Sequence, residues 1–358
     1  MNRRAEFSES TKAALAKRAG YRCAFPGCRA ITIGPSAESP EQSASSGMAC
    51  HIYAASDGPS ARRRNPNLTV DKLRSIENGI WMCYSHGKLI DTDESTFPPE
   101  ALQHWRKLAE AKARIRQAFG ADLSMQDSGD LDIKLPSIKV EMSPADNISK
   151  LIQEIFFNSC INEVWGDDLA YSIRELTIEL ARNAFLHGHA TTFEVDIDAC
   201  KVTLSDNGKA FSFSELLSHT QRRGGAAAAK QVSESFLNKL IYSYIQTEHG
   251  NKLILARIRA SKEISAITPC NITIDFESHK LKYDDVVSFC ECHTECGTVY
   301  IVPKYGISHS DIAIIAEKMK SILHTGQTIV LVCEGVSSGL EEYITKIAPN
   351  MKLMRVTR

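Results

Sequence analysis

The chain has 358 residues, 43% of them hydrophobic and 24% charged, which is ordinary for a soluble globular protein of two domains. It shows no apolar run of membrane-spanning length and no signal-peptide pattern, so we expect a cytoplasmic protein with no membrane partner. The net charge of −1 is unevenly divided: residues 1–120 carry 18 Lys and Arg against 12 Asp and Glu, and the remainder carries 24 against 31. The resulting +6 in the first part favours a polyanion partner there, whereas −7 in the remainder does not.

The first elements in chain order are a short helix and two pairs of metal-ligand residues. Residues 8–19 place capping residues before helically spaced Ala and Leu, which predicts a helix. Cys23 and Cys28 then flank a Pro-Gly turn, and Cys83 and His86 form a Cys-x-x-His pair much later in the chain. Four such residues at these spacings are typical of a tetrahedral zinc site. The alternative is that the cysteines are small buried hydrophobic residues.

A second pattern surrounds the Cys-x-x-His pair. The stretch Ser75–Asp93 has Asn78 just before a short apolar run, and the pair follows that run directly. Upstream, residues 48–55 predict a short strand that carries Cys50 and His51. With the first cysteine pair, this arrangement resembles the HNH, or ββα-metal, nuclease family over about the first third of the chain.

The resemblance implies a zinc-stapled ββα-metal domain over residues 1–119 that hydrolyses DNA, with His51 as general base. It implies that Asn78 orients His51 through a hydrogen bond, although Asn-Gly is also an ordinary turn signal. It further implies a divalent cation, Mg²⁺ or Mn²⁺, at the scissile phosphate. Many family members carry an acidic metal ligand where this chain has Cys50, so we expect Asp91 to supply the carboxylate. The alternatives are a core role for His51 and a helix-end role for Asp91.

A run of arginines lies between the predicted strand and Asn78, at Arg62, Arg63 and Arg64. Beside a nuclease site, such a run would contact the phosphates of double-stranded DNA rather than its bases, giving affinity without sequence preference. The alternative is a solvated charged loop.

The next segments predict a helix and a linker. Residues 98–119 begin with Pro and place Leu102, Trp105 and Leu108 on one apolar stripe, which predicts a long helix. Residues 120–145 mix Asp, Ser, Gly and Pro, which is typical of an interdomain linker.

A second domain is expected over residues 146–305. Its predicted helix, 172–188, carries Glu179 and Asn183 four residues apart and therefore on one face. Two strand-like segments and then several polar or glycine positions follow the helix; in chain order these positions are Asp206, Gly208, Gly224, Gly225 and Thr298. This order resembles the GHKL ATPase family, whose Bergerat fold is an α/β sandwich that holds ATP.

The GHKL resemblance implies a role for each position. Asn183 would hold Mg²⁺ on the triphosphate, Glu179 matches the general base, and Asp206 would accept from the adenine amino group. Gly208 would let the backbone approach the base. Gly224 and Gly225 would lie in the phosphate-facing lid, and Thr298 would support the adenine contact. The last glycine of the family motif is Ala210 here, so nucleotide binding is favoured over rapid turnover.

Two further expectations concern the later chain. Residues 231–260 are interpreted as helices, and residues 306–358 as an α/β extension of the second domain. Cys290, Cys292 and Cys296 lie close together, and packing is favoured over a second zinc site there. In a reducing compartment, cysteines more often bind metal or fill cores than form disulfides.

Together the patterns predict an α+β protein: a zinc-stapled ββα-metal nuclease domain, a GHKL-type α/β sandwich and a C-terminal α/β extension. The expected activity is metal-dependent DNA cleavage controlled by an adenine nucleotide, in a homo-oligomer acting in bacterial antiviral defence. One alternative is a catalytically weak zinc-stapled DNA-binding module on a GHKL switch. Another is a sensor for a cyclic or modified nucleotide.

Overall fold

The structure is a computed structural model that describes residues 4–28, 30–56, 58, 61–120, 137–209, 232, 240–247, 250–258, 260–275, 282–294, 296–304, 306–320, 327–334, 337–348 and 351–356. The chain forms two compact units of mixed helix and strand. The first unit comprises Met1–Ile138, Gln153–Asp167 and Ile197–Ala199, and the rest of the chain forms the second. None of the described helices combines the length and apolar composition that a bilayer crossing requires.

The first unit is built on two short antiparallel strand pairs and several helices. Its strands are β1 (Ile33–Pro35), β2 (Ser43–Ser45), β3 (Gly47–His51) and β4 (Gly79–Cys83). Its helices before the expected linker are α1 (Glu9–Arg18), α2 (Val70–Arg74), α3 (Tyr84–Ile90) and α4 (Pro99–Phe119). Strand β3 pairs with β4, which brings His51 opposite Gly79, and α3 follows β4 without a loop.

Helices α1 and α4 confirm two sequence predictions. Ser8 caps α1 by accepting from the amide of Thr11. Helix α4 begins at Pro99, where a missing amide hydrogen costs nothing, and is capped after Phe119 by Gly120 in the left-handed conformation. Trp105 of α4 is fully buried and meets Phe25 edge to face. The apolar stripe on α4 therefore forms much of the core beside the first cysteine pair.

Three helices follow the expected linker: α5 (Ile148–Ser159), α6 (Ile161–Trp165) and α7 (Asp167–Leu186). The second unit contains a five-stranded sheet of β5 (Ile138–Met142), β6 (Phe193–Ile197), β7 (Lys201–Asp206), β8 (Ile241–Thr247) and β9 (Gly250–Ala256). The strand order is β5-β6-β7-β9-β8, and β9 runs antiparallel to both of its neighbours.

The hairpin of β8 and β9 corrects the expectation of helices over residues 231–260 where it forms, between residues 241 and 256; residues 231 and 233–239 lie outside the described part of the chain. The segment Ile-Tyr-Ser-Tyr-Ile is rich in β-branched and aromatic residues, which fit a pleated sheet better than a helix. Along β9, Asn251, Leu253 and Leu255 are buried while Lys252 and Ile254 are more exposed, so the side chains alternate with a period of two. The apolar spacing over part of this stretch also fits a helix, which explains the wrong prediction.

A second sheet of four parallel strands completes this unit. Its strands are β10 (Asn271–Ile274), β11 (Thr298–Pro303), β12 (Thr328–Glu334) and β13 (Met351–Val356), in that order. The accompanying helices are α8 (Ile264–Ile267), α9 (Lys282–Cys292), α10 (His309–Met319) and α11 (Ser338–Ile347). Strands from both sides of the expected boundary at residue 305 thus belong to one sheet.

The later cysteines follow the packing expectation only in part. Cys296 forms a disulfide with Cys270, 26 residues earlier, which ties the start of β10 to the start of β11. Cys290 is buried in the core between α9 and the sheet, and Cys292 is exposed. Cys290 and Cys296 therefore both lie in the core, as the sequence predicts, whereas Cys292 does not.

Candidate metal centre and catalytic cleft

The structure brings Cys23, Cys28, Cys83 and His86 together. Their ligand atoms all lie within 4.8 Å of one another. The first two flank a tight turn closed by the amide of Cys28 donating to the carbonyl of Phe25 at 3.0 Å. The last two come from the end of β4 and the first turn of α3, so one strand-to-helix junction presents both.

The chemistry of this cluster, which we call the Cys₃His cluster, suits zinc. Nδ1 of His86 lies 3.2 Å from Sγ of Cys83 and 3.6 Å from Sγ of Cys23, so Nδ1 is the nitrogen turned towards the thiols. Three thiolates and one imidazole make a common tetrahedral zinc donor set. Burial raises the pKa of the Cys23 thiol to about 12, so a cation is needed to hold it as a thiolate. The cluster is therefore able to hold a metal ion and is compatible with structural zinc.

His51 stands at the end of β3 with a fixed ring orientation. Its Nε2 lies 2.9 Å from the carbonyl oxygen of Ala5, and its ring stacks on Phe7 with centroids 3.8 Å apart. A carbonyl only accepts, so Nε2 carries the hydrogen and the neutral ring keeps its lone pair on Nδ1. Burial lowers the pKa of His51, which favours this neutral, basic form at neutral pH.

His51 lines a cleft of about 760 Å³ in the first unit. Asp91, Arg62 and Tyr84 border the same cleft. Asp91 follows the last residue of α3 and its carboxylate is about half exposed, at 55%. Within the described ranges, the Cys₃His cluster is the one group of three or more convergent metal donors, so the second cation expected at Asp91 stays a prediction.

Cys50 does not replace the missing acid as a charged ligand. Its side chain is buried, and burial raises the pKa of the thiol to about 12. A Cβ added at Gly87 of α3 would lie 2.8 Å from Sγ of Cys50 and 2.7 Å from the sulfur of Met48. Helix α3 therefore rests directly on β3, and Cys50 fills that contact as a neutral thiol.

Asn78 holds the backbone next to His51 rather than the imidazole itself. Its Oδ1 accepts from the amide of Tyr53 at 2.8 Å, and its Nδ2 donates to the carbonyls of Tyr53 and Leu73 at 3.0 and 2.9 Å. The His51 ring instead makes its hydrogen bond, among the described residues, with the carbonyl of Ala5. The expected direct hydrogen bond is therefore corrected: Asn78 positions the chain two residues after His51.

Arg63 is a structural residue, which corrects its prediction as a phosphate contact. Its side chain is only 2% exposed. The guanidinium donates to the carbonyls of Ile52, at 2.8 Å, and Ile90, and its Nη2 lies 2.8 Å from Oδ1 of Asp91. It thereby joins the chain after β3 to the end of α3. Arg62 and Arg64 are exposed, and their predicted phosphate contacts stay a prediction.

In the second unit, Asp206 and Gly208 form a tight turn beside the end of α7. Oδ1 of Asp206 accepts from the amide of Gly208 at 2.8 Å and from Nδ2 of Asn251 at 2.9 Å. The amide of Lys209 donates to the carbonyl of Gly188, just beyond α7, at 2.8 Å. The Asp-x-Gly turn therefore packs against the chain that leaves the helix carrying Glu179 and Asn183.

Two further positions of the GHKL pattern lie on α7 and one lies in the parallel sheet. Oε1 of Glu179 accepts from Arg182 at 2.9 Å, and Asn183 is partly exposed one turn later. Thr298 is buried in the parallel sheet, where its hydroxyl bonds that of Tyr242. Tyr242 lies on the outermost strand, two strands from Asp206, so no described contact joins Thr298 to Asp206, and its support of an adenine contact stays a prediction. Gly224 and Gly225 lie outside the described residues.

Three partners of these sites carry no sequence signal. Ala5 and Phe7 hold the His51 ring, yet neither belongs to a recognisable motif. Asn251 binds Asp206 from the neighbouring strand, where β7 and β9 pair residue 206 with residue 251. Only the register of that strand pair, which was not predicted, would have found it.

No protein-family model matches this chain, and no curated protein matches it either.

Proposed function

We propose that the first unit is a metal-dependent DNA endonuclease in which His51 is the general base. The observation that carries the proposal is the fixed His51 ring, whose Nε2 hydrogen is held by Ala5 while the Nδ1 lone pair remains for proton transfer. A cleft of about 760 Å³ borders this ring, and Asp91 lines the same cleft. The Cys₃His cluster staples the adjoining strand and helix in place.

In the proposed reaction, Nδ1 of His51 takes a proton from water, and the water oxygen forms a bond to the phosphodiester phosphorus. The bond from phosphorus to the leaving sugar oxygen breaks, and that oxygen takes a proton from solvent. Asp91 would hold Mg²⁺ or Mn²⁺, which when bound offsets charge on the phosphate and leaving oxygen. The exposed Arg62 and Arg64, together with the +6 balance of residues 1–120, would attract duplex DNA.

We also propose that the second unit binds an adenine nucleotide and controls cleavage. The support is the turn at Asp206 and Gly208 beside the end of α7, with Asn183 in the last turns of that helix. A nuclease without sequence preference must be inactive in its own cell until a ligand favours the active state by binding it more tightly. Cutting both strands requires two active sites, so a homo-oligomer is expected. Antiviral defence in bacteria is the role that the domain combination suggests by analogy.

The first test is cleavage of supercoiled and linear DNA with Mg²⁺ or Mn²⁺, with and without ATP, ADP and a nonhydrolysable analogue. Wild type is expected to cleave in at least one nucleotide condition, and His51→Ala to lose at least about 100-fold in rate. His309→Ala, an exposed histidine of the second unit, is the matched control and is expected to cleave like wild type. Equal rates for wild type and His51→Ala would contradict the nuclease assignment.

The second test is calorimetric titration of ATP into wild type and Asp206→Asn. The substitution keeps the size of the side chain but turns an adenine acceptor into a mixed donor and acceptor, so ATP affinity should fall at least tenfold. Lys346→Met, on the exposed side of α11, is the control. Unchanged ATP affinity in Asp206→Asn would remove the adenine assignment and favour a sensor for another nucleotide.

One observation favours a second candidate function, a DNA-binding module with weak catalysis. Cys50 occupies the position of a usual acidic ligand and is a buried neutral thiol. In this case wild type and His51→Ala would be equally inert yet would bind duplex DNA with equal affinity. A gel-shift titration alongside the cleavage assay separates the two functions.

A further inference from the structure

A disulfide joins the amino ends of two neighbouring strands in the parallel sheet of the second unit. Cys270 directly precedes β10 and Cys296 lies just before β11, with their Cα atoms 5.6 Å apart. Strand β10 has only four residues and, among the described strands, pairs with β11 alone. The covalent link therefore reinforces a short edge strand, whose attachment to the sheet otherwise depends on one row of hydrogen bonds.

The other cysteines of the chain are in a different redox state. All nine are free thiols, and three of them belong to the Cys₃His cluster, which needs reduced thiolates to hold a metal. Cys292, the last residue of α9, is exposed and free although it lies four residues before Cys296. Where most thiols stay reduced, the disulfides that do form are usually transient or redox-sensing. The local geometry of this pair, rather than general oxidation of the chain, therefore accounts for the link.

The two linked cysteines differ in access to solvent. Cys296 is only 2% exposed and belongs to the core between α9 and the sheet, whereas Cys270 is partly exposed at the edge of that core. Cys270 is therefore the side of the bond open to an incoming thiolate, with Cys296 as the leaving thiol. Disulfides that a thiol can reach are the labile and regulatory ones.

The link also holds the part of β11 that contacts the antiparallel sheet. The amide of Tyr300 on β11 donates to the carbonyl of Cys270 at 2.9 Å. The hydroxyl of Tyr300 accepts from the amide of Tyr242 on β8 at 3.0 Å, and the hydroxyl of Tyr242 bonds that of Thr298. Opening the disulfide therefore removes a restraint on the residues through which β11 and β8 are joined.

We propose that the Cys270–Cys296 disulfide is a reversible redox switch, which opens where small thiols are in excess and closes where small disulfides accumulate. In opening, a small thiolate attacks Sγ of Cys270, the bond between the two cysteines breaks, and Cys296 leaves as a thiolate that takes a proton. A second thiolate attacks the sulfur of the first small thiol, so Cys270 leaves as a thiolate that takes a proton, and the two small thiols leave joined as a disulfide.

Closing runs these steps in reverse, so the small disulfide is the oxidant and is reduced to two thiols. The switch does not depend on the proposed nuclease or adenine-binding functions.

The test is incubation of the full chain in glutathione buffers that range from mostly oxidised to mostly reduced. Free thiols are then alkylated, and peptide mass spectrometry gives the alkylated fraction of each cysteine. The alkylated fractions of Cys270 and Cys296 are expected to rise together, from below about a tenth in excess oxidised glutathione to above about nine tenths in excess reduced glutathione. This titration of wild type needs no substitution, so it does not depend on the folding of any variant.

Thermal unfolding supplies the second measurement. The closed form of wild type is expected to unfold at least about 5 °C above the open form, because the bond restricts the unfolded chain. Cys270→Ser should lose this difference between the two buffers. Cys292→Ser, which removes an exposed free thiol from the same segment, is the matched control and should keep it.

Three results would overturn the proposal. A link that stays closed in excess reduced glutathione would be a permanent structural bond. Alkylation of Cys270 in every buffer would mean that the bond does not form. A difference in unfolding temperature that is as large in Cys270→Ser as in wild type would place the redox response at other cysteines.

Discussion

The two units place their predicted site residues in different ways. In the first unit, two ligand pairs from distant segments meet within 4.8 Å, as the sequence predicts. In the second unit, Asp206 and Gly208 lie at the end of α7, but Thr298 belongs to another sheet. A metal site demands a fixed geometry from a few side chains, so its spacing is visible in the sequence. A nucleotide site made by backbone turns and sheet order leaves a weaker trace.

From this comparison we expect a metal ion to hold the first site together and close packing to hold the second. The predictions below test this difference, from the largest expected effect to the smallest.

Cys83→Ala is expected to have the largest effect, because structural zinc contributes on the order of 10 kcal/mol to the folding of small zinc domains. The variant should lose its metal and unfold the first unit at temperatures where wild type is folded. Metal content by mass spectrometry and the thermal unfolding curve are the measurements.

The matched control for this experiment is Cys50→Ala, which removes a buried thiol outside the Cys₃His cluster. It should keep a full complement of metal and lose only about 1 to 2 kcal/mol of stability through the cavity. Equal metal content in Cys50→Ala and Cys83→Ala would show that the cluster is not a metal site.

Arg63→Met is expected to lower the free energy of unfolding by about 3 to 4 kcal/mol. The change leaves the carbonyls of Ile52 and Ile90 without the buried guanidinium, and each unsatisfied buried group costs about 1 to 3 kcal/mol. Arg62→Met, at the exposed neighbour, should leave stability unchanged and reduce the salt dependence of DNA binding by about one phosphate contact. Denaturant unfolding of both variants checks the first expectation; equal stabilities would contradict it.

Gly250→Ala tests the packing of the second unit and should cost about 3 kcal/mol. Gly250 has φ +129°, and an added Cβ would lie only 1.9 Å from the carbonyl oxygen of Asp206. Gly339→Ala is the control, because its Cβ would meet no described atom within 4 Å and would favour helix α11. If both variants unfold at the wild-type denaturant concentration, β9 does not approach the Asp206 turn closely.

The smallest expected effect is the change in the free energy of unfolding for each pH unit. His104 is fully buried in α4, and burial, with the charge of Lys107, lowers the pKa of His104 to about 4. The unfolded chain takes up its proton near pH 6.5, so it binds more protons than the native state between pH 6.5 and 4. The free energy of unfolding should therefore fall by about 1 kcal/mol for each pH unit lowered through this window.

His104→Leu is the variant for this titration, because it fills a similar volume and cannot be protonated. Denaturant unfolding at several pH values should show the loss in wild type and a smaller loss in the variant. Identical pH dependence in both proteins would mean that His104 is not the titrating group.

The features that could be predicted from the sequence are those that neighbouring residues specify by their type and spacing. Capping at Ser8 and Pro at the start of α4 specify two helices, and ligand spacing specifies the Cys₃His cluster. The features that it missed depend on distant chain segments. The β8–β9 hairpin has apolar spacing that fits either period, and the burial of Arg63 becomes visible only once α3 is placed against the end of β3.

The guanidinium of Arg63 also has an evolutionary consequence. It donates to the carbonyl of Ile52, just after β3, to the carbonyl of Ile90, at the end of α3, and to the carboxylate of Asp91, so we expect positions 63 and 91 to be inherited together. Lysine at position 63 has a single ammonium head and would be unable to bridge all three acceptors. Homologues of this chain should therefore keep or lose Arg63 and Asp91 together, with covariation stronger than for Arg62 or Arg64.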